Sequence, residues 1–245
     1  MVEILKREYE LSSSVLDNHK RLRLSALLSH MQNMATDHAE ILRFDAERMT
    51  REHRAVWIMT RSLLRLKRPI RMGEVLHIHT WPRPISRSIS VFRDFDLFVD
   101  GEHVGEATMS WVLADIENRR MLKPSTIPAL IESPHPAVVK DVIPGKIQMP
   151  ETLTPRMRRP VYYSDTDVIG HMNNTKYADI ACDAIHYENC GAQFIAEMQI
   201  NYLQESFPGD ELAILHGAEG DAHYIRGIDG DGKSRFEVRL KLEDC

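Results

Sequence analysis

Between Tyr163 and Tyr177 the chain reads Tyr-Ser-Asp-Thr-Asp-Val-Ile-Gly-His-Met-Asn-Asn-Thr-Lys-Tyr, which sets two carboxylates, a glycine, a histidine and two asparagines close together. Directly after it, Tyr177, Ile180, Ala181, Ala184 and Ile185 recur at helical spacing, so the run is predicted to be a polar loop feeding a helix. Backbone N–H groups at a helix start have no intrahelical partners and carry the positive end of the helix dipole. Such a loop suits a polarised carbonyl oxygen, with Asp167 and His171 at hand to manage a water molecule. Helix capping is the competing explanation, since Asp, Asn and Thr are common before any helix. A cap uses one such residue, whereas this loop offers six.

The elements around the loop repeat. In the first half a short strand (Lys6 to Ser12) leads through Asp17-Asn18-His19-Lys20-Arg21 to a helix. Its apolar residues Leu24, Leu27, Leu28, Met31, Met34, Ala35 and Ala39 follow a 3.6-residue period. Four strands are predicted next: Ala55 to Leu66, Glu74 to Trp81, Ser88 to Val99 and Val104 to Ala114, with Asp100-Gly101 as a hairpin turn. In the second half Val161-Tyr162-Tyr163 enters the polar loop and its helix. Four strands follow again, at Gln193 to Gln204, Glu211 to His216, Ala222 to Ile228 and Ser234 to Leu242. One helix and a meander of four strands, performed twice, predicts an α+β fold with antiparallel sheet. Between the halves, Lys123 to Pro160 holds eight of the chain's 12 prolines and is expected to be a linker.

Composition narrows the function classes. With 43% apolar and 27% charged residues, the 245-residue chain has room for one large domain or two small ones. A net charge of −5 argues against general nucleic-acid binding. There is no apolar run of membrane-spanning length. Met1 to Glu8 has neither the apolar core of a signal peptide nor the character of a transit peptide, so the expected address is the cytoplasm. Three cysteines, Cys182, Cys190 and Cys245, form neither a disulfide framework nor a zinc spacing. His77 and His79 share one strand face; metal binding there competes with an ordinary polar face, and no metal or other cofactor is expected.

These words together resemble the acyl-acyl-carrier-protein thioesterase family, of the bacterial type. In the first half they are Gln32-Asn33-Met34-Ala35-Thr36-Asp37-His38-Ala39, Trp57 before Thr60-Arg61, Thr80-Trp81, Arg93-Asp94-Phe95, and Ser110-Trp111-Val112-Leu113 running to Arg119-Arg120. In the second half they are Asp165-x-Asp167-x-x-Gly170-His171-Met172-Asn173-Asn174-x-Lys176-Tyr177. The resemblance implies two tandem hotdog modules, each an antiparallel sheet wrapped around a long helix. The N-terminal module (1–130) would shape the acyl pocket, and a proline-rich linker (131–154) would lead to the C-terminal module (155–245) with the catalytic loop.

It also implies roles. Asp167 and His171 take catalytic positions, joined by Glu205, which precedes Ser206 where the family has an acid beside a cysteine. The family's asparagine two residues before the histidine is Ile169 here. The expected reaction is hydrolysis of fatty acyl-acyl-carrier protein to free fatty acid and carrier thiol, ending fatty acid synthesis. Asp167 or Glu205 would accept a proton from water, and His171 would orient the water or the thioester. N–H groups around Gly170 to Asn174 would hold the oxyanion. Gly170 fits either close backbone approach or a turn with positive φ. Asn173 and Asn174 would cap the helix and hold the loop.

Leu27, Met31, Met34 and Trp57 are candidates to line the acyl slot; for all four, ordinary core packing is the alternative. The expected partner is an acidic carrier protein, met by Arg61, Arg65, Lys67, Arg68 and Arg71 or by Arg156, Arg158 and Arg159. A homodimer is compatible. The rival readings are an acyl-CoA thioesterase on the same fold, a non-catalytic acyl-binding module, and a hydratase.

Overall fold

Leu24, Leu27, Leu28, Met31, Met34 and Ala35 lie on one buried face of an 18-residue helix, α1 (Leu24–Ile41). The computed structural model describes residues 3–131, 136, 140 and 142–245. Strand β1 (Leu5–Glu10) precedes α1, and helix α2 (Ala46–His53) follows it. Then come β2 (Ala55–Leu66), β3 (Val75–Pro82), β4 (Ser90–Val99), β5 (Glu102–Asp115), the two-residue β6 (Met121–Leu122) and a short helix α3 (Pro128–Ile131). The second half repeats the plan with β7 (Thr154–Pro160), α4 (Lys176–Ala184), β8 (Gln193–Tyr202), β9 (Glu211–Glu219), β10 (Ala222–Ile228) and β11 (Ser234–Asp244).

The strands join into one antiparallel sheet in the order β1-β3-β4-β5-β2-β8-β11-β10-β9-β7, with β6 beside β5. Outward from the centre, each half presents its strands in the same sequence, which is the signature of an internal two-fold. The halves meet where β2 pairs with β8, from Arg61 opposite Asn201 to Arg65 opposite Glu197. Helices α1 and α4 cover one face of the sheet and touch each other, so Leu27 and Met31 share a core with Tyr177, Ile180 and Ala181. A twisted antiparallel sheet has one face to bury, and these two helices bury it. No helix among the described residues is long and apolar enough to cross a membrane.

The structure departs from the sequence reading at weakly patterned segments. Helix α2 was not expected, because among its eight residues only Met49 is buried and no apolar stripe exists. Its local signal is the cap: Asp45 accepts the Arg48 N–H at 2.9 Å. Strand β7 lies inside the predicted proline-rich linker, so Pro155 and Pro160 are strand residues. β7 is an edge strand, where a missing N–H is tolerated and exposed arginines discourage further pairing. Of the remaining linker, residues 132–135, 137–139 and 141 lie outside the described residues, and 142–153 form neither helix nor strand.

One contact on α4 constrains β10. Phe236 of β11 lies 4.6 Å, ring to ring, from Tyr177 and is fully buried. A Cβ on Gly227 would come within 2.1 Å of the Phe236 ring. Gly227→Ala is therefore expected to destabilise the fold by about 1–3 kcal/mol through overpacking. A urea midpoint equal to wild type would contradict this.

Candidate active site

The Asp167 loop is held by its own backbone. The Asp167 N–H donates to the His171 carbonyl at 2.8 Å, and the Gly170 N–H donates to the Asp167 carbonyl at 3.1 Å. Oδ1 of Asp167 accepts the N–H groups of Ile169 (3.0 Å) and His171 (3.2 Å). Next, the Met172 N–H donates to the Ser206 carbonyl at 2.8 Å, tying the loop to the chain leaving β8. That tie brings Glu205 to the histidine: Oε1 stands 3.4 Å from Nδ1 of His171. Phe207 packs edge-on against the imidazole at 4.8 Å. Arg119, from the first half, places Nη1 3.9 Å from the other Glu205 oxygen.

Gly170 has φ +83°, and a Cβ there would meet nothing within 4 Å. The glycine serves the left-handed turn, not a close backbone approach. Asn173 ties the loop to the helix start, its Oδ1 accepting from Thr175 N (3.0 Å) and Oγ1 (2.9 Å). Asn174 differs. Its amide reaches across to β2, with Nδ2 3.8 Å from Sδ of Met59.

Two cavities meet at this loop. One, of about 460 Å³, is lined by Asp167, His171, Asn174, Glu205 and Phe207 together with Trp57 and Met59 of β2. The other, of about 300 Å³, is an apolar slot lined by Ala35, Ala39, Phe44, Ile85, Val91 and Trp111 among others. Trp57, Met59, Asp167, Ile169 and Asn174 line both. The slot runs across the strands beneath α1, since Val91 lies opposite Trp111 and Trp111 opposite Met59.

Of the four candidate pocket residues, Trp57 lines this slot, with its indole N–H donating to the Phe44 carbonyl at 2.9 Å. Leu27 lines a separate cavity, and Met31 and Met34 are fully buried in the core, lining neither the slot nor the chamber. The slot exists because Ala35 and Ala39, one helical turn apart, are small. Small residues give a weak hydrophobic signal, so sequence reading favoured the larger side chains.

Covalent chemistry has no obvious start here. Ser206 is fully buried, and its Oγ accepts the Tyr177 hydroxyl at 3.3 Å. Among the described residues, the cluster whose geometry could hold a metal ion, Asp96, His103 and Glu106, is met by an ammonium instead. Lys140 Nζ donates to Asp96 at 2.6 Å and to Glu106 at 2.7 Å.

Comparison with known proteins identifies the setting. Family models described as the N-terminal and C-terminal domains of acyl-ACP thioesterase match residues 3–127 and 152–242. The chain belongs to the acyl-ACP thioesterase family. A solved acyl-ACP thioesterase from Bacteroides thetaiotaomicron superposes with TM-score 0.89 at 20% identity, covering 98% of each chain. The 12:0-ACP thioesterase from Umbellularia californica superposes with TM-score 0.84 at 20% identity, covering 100% of this chain and 99% of that one. Both share the tandem hotdog architecture seen here. An acyl-[acyl-carrier-protein] hydrolase of Cuphea viscosissima is 20% identical over 98% of this chain. The present chain spans 59% of that relative's length.

The Asp167 loop also depends on a carboxylate outside the cavity. Asp165 is buried, accepting from Arg159 Nη2 (2.7 Å) and from the Tyr162 N–H (2.8 Å). Burial raises its pKa, but Arg159 and the N–H outweigh burial, and the net result lies below the ordinary carboxylate value. A depressed folded-state pKa contributes stability that is complete above the unfolded-state value and lost as pH falls through the folded one. Wild type should therefore lose stability between about pH 4 and lower pH through this group, and Asp165→Asn should flatten that part of the curve. Melting temperatures against pH for both proteins check this.

Proposed function

We propose that this chain hydrolyses fatty acyl thioesters of acyl carrier protein, releasing free fatty acid and the carrier thiol. The observation that carries the reading is the junction of the two cavities: a carboxylate–histidine loop stands at the mouth of an apolar slot. The acyl tail enters between α1 and the strands, past Trp57 and Met59. The carbonyl carbon then rests beside Asp167 and Asn174, with a water in the His171–Glu205 chamber.

In this mechanism Glu205 orients the His171 imidazole and stabilises the imidazolium that forms as the ring takes a proton from the attacking water. The water oxygen bonds to the carbonyl carbon, and the carbonyl oxygen gains the electron pair. Asn174 Nδ2, whose one hydrogen-bond contact among the described residues is a weak one to sulfur, is placed to donate to that oxygen. It supplies the amide that Ile169 does not. Collapse of the adduct breaks the C–S bond, and imidazolium returns its proton to the departing thiolate. Asp167 uses Oδ1 to hold the loop and keeps Oδ2 for the reaction centre.

The carrier protein is proposed to dock over the mouth, where Ile169, Leu203 and Phe207 are exposed and Arg119 is three-quarters exposed. The two basic clusters suggested by sequence are largely engaged within the fold: Arg65 with Glu197, Arg68 with Glu74 and Glu102, Arg158 with Glu211, and Arg159 with Asp165. Free thiols at Cys182, Cys190 and Cys245 suit the reducing cytoplasm.

Thiol release from matched acyl-carrier and acyl-CoA panels tests the substrate. Carrier-linked substrates should be preferred, and release from CoA alone would move the reading to a CoA thioesterase. His171→Ala and Glu205→Gln should lower kcat by about 10²–10⁴-fold, and Asn174→Ala by about 10²-fold. Ala39→Phe should shift preference towards shorter chains while leaving their kcat intact. Full activity of His171→Ala would end the proposal.

A further inference from the structure

The apolar slot contains one charge that the fold leaves unbalanced. Arg93 of β4 lines it and is only 8% exposed. Burial lowers its pKa to about 10, which keeps the guanidinium charged at neutral pH. Nη1 donates to His38 Nδ1 on α1 (2.9 Å) and to Thr80 Oγ1 on β3 (3.4 Å). A guanidinium can only donate, so His38 Nδ1 is an unprotonated acceptor and the ring brings no charge of its own. Among the described residues no carboxylate forms an ion pair with Arg93, and burial alone shifts it.

The other charges along the slot are matched. Arg83 grips Asp94, with Nε on Oδ2 and Nη2 on Oδ1, both at 2.8 Å. Asp45 lies 3.6 Å from Arg48 Nε and accepts the Arg48 N–H. Asp167 stands at the mouth, where slot and chamber meet. In Arg93 the Nε–Nη2 edge has no hydrogen-bond partner among the described residues. Neither atom is sealed: the sealed, unpaired side-chain donors are Arg21 Nη2 and Arg48 Nε, so the surface left to the Arg93 edge opens where the residue lines the slot. Two parallel N–H groups on that edge fit both oxygens of a carboxylate. Arg83 and Asp94 make that very pair one residue along the chain.

Position decides which part of a ligand meets this edge. Val91, Trp111 and Met59 run across β4, β5 and β2 towards the mouth. Arg93 shares the Val91 face of β4, and its guanidinium turns to Thr80 on β3, away from β2. With strands about 4.8 Å apart and a rise of about 3.4 Å per residue, Arg93 stands roughly 10 Å across and about 7 Å along the sheet from Met59. A carbonyl held at Asp167 and Asn174 therefore sends only the far end of its chain to Arg93. A methyl terminus pressed on an unpaired guanidinium desolvates the charge and returns nothing, whereas a carboxylate returns a charge-assisted pair.

We propose that Arg93 selects substrate by the far end of the acyl chain. Alkyl tails long enough to reach it are disfavoured, and chains of that length ending in a carboxylate, ω-carboxyacyl thioesters, are held by its Nε–Nη2 edge. The inference rests on the thioesterase reading for the chemistry at the mouth.

Calorimetric titration of the full chain with ketone analogues of acyl-pantetheine, in which CH2 replaces the thioester sulfur, tests the proposal. At each chain length an alkyl tail is compared with a tail ending in a carboxylate. Alkyl affinity should rise with length and fall once the tail reaches Arg93. There the ω-carboxyl analogue should bind at least about tenfold more tightly than its alkyl match. Arg93→Met, which keeps much of the side chain's length and removes the charge, should abolish that preference and admit longer alkyl tails. Equal affinities at every length in wild type overturn the proposal, and that comparison needs no variant to fold. An ω-carboxyl preference undiminished in folded Arg93→Met overturns it as well. Thiol release from the matching acyl-carrier thioesters is scored separately: its absence overturns the hydrolase reading, while binding tests Arg93 on its own.

Discussion

The pairing of β2 with β8 is the constraint on which the rest of this molecule depends. It turns two modules into one sheet and lays α1 against α4 over a shared core. It also carries the start of β2, with Trp57 and Met59, to the loop that precedes α4. The slot belongs to the first half and the histidine loop to the second, so neither half holds a whole site. Burial of apolar surface across that junction is what keeps them in register, because a one-residue slip would turn every side chain of a strand to the wrong face.

Duplication then permits specialisation. The loop before α1 repeats the Asp167 loop: Asp17 Oδ1 accepts the N–H groups of His19 and Arg21 as Asp167 Oδ1 accepts those of Ile169 and His171, and the side chains decide what each loop does. In the first half Arg21 reaches across to the carbonyls of Cys190 and Gln193, so its loop fastens one module to the other. In the second half the His171 side chain is one-quarter exposed and meets Glu205 and Phe207, so its loop stays open to a ligand. Fastening and ligand access ask opposite things of a loop, and the two-fold allows both.

How far the sequence could be read follows from these forces. Long strands and α1 were legible because apolar periodicity and burial coincide; β2 and β10 run from Ala55 to Leu66 and from Ala222 to Ile228, as expected. The loop residues were legible because six polar groups before one helix exceed what capping needs. Helix α2 and edge strand β7 were not, since their residues are mostly exposed and carry no stripe. The slot was misjudged for a related reason: a cavity is made where side chains are small, and Ala35 and Ala39 look like filler in a helix that advertises Leu and Met. Nor does one strand of sequence reveal that Asn174 faces Met59, a contact between residues far apart in the chain.

The twin aspartates offer the most direct test of the claim that one loop reacts and the other only holds. Asp17→Asn and Asp167→Asn remove one charge each from loops with the same internal hydrogen bonds. Hydrolysis of acyl-carrier thioester should be measured for both, alongside thermal stability. The account predicts near wild-type kcat/KM for Asp17→Asn and a loss of about 10²-fold or more for Asp167→Asn, at comparable folding. Equal losses in the two variants would contradict it, because Asp167 would then be no more than a loop clasp.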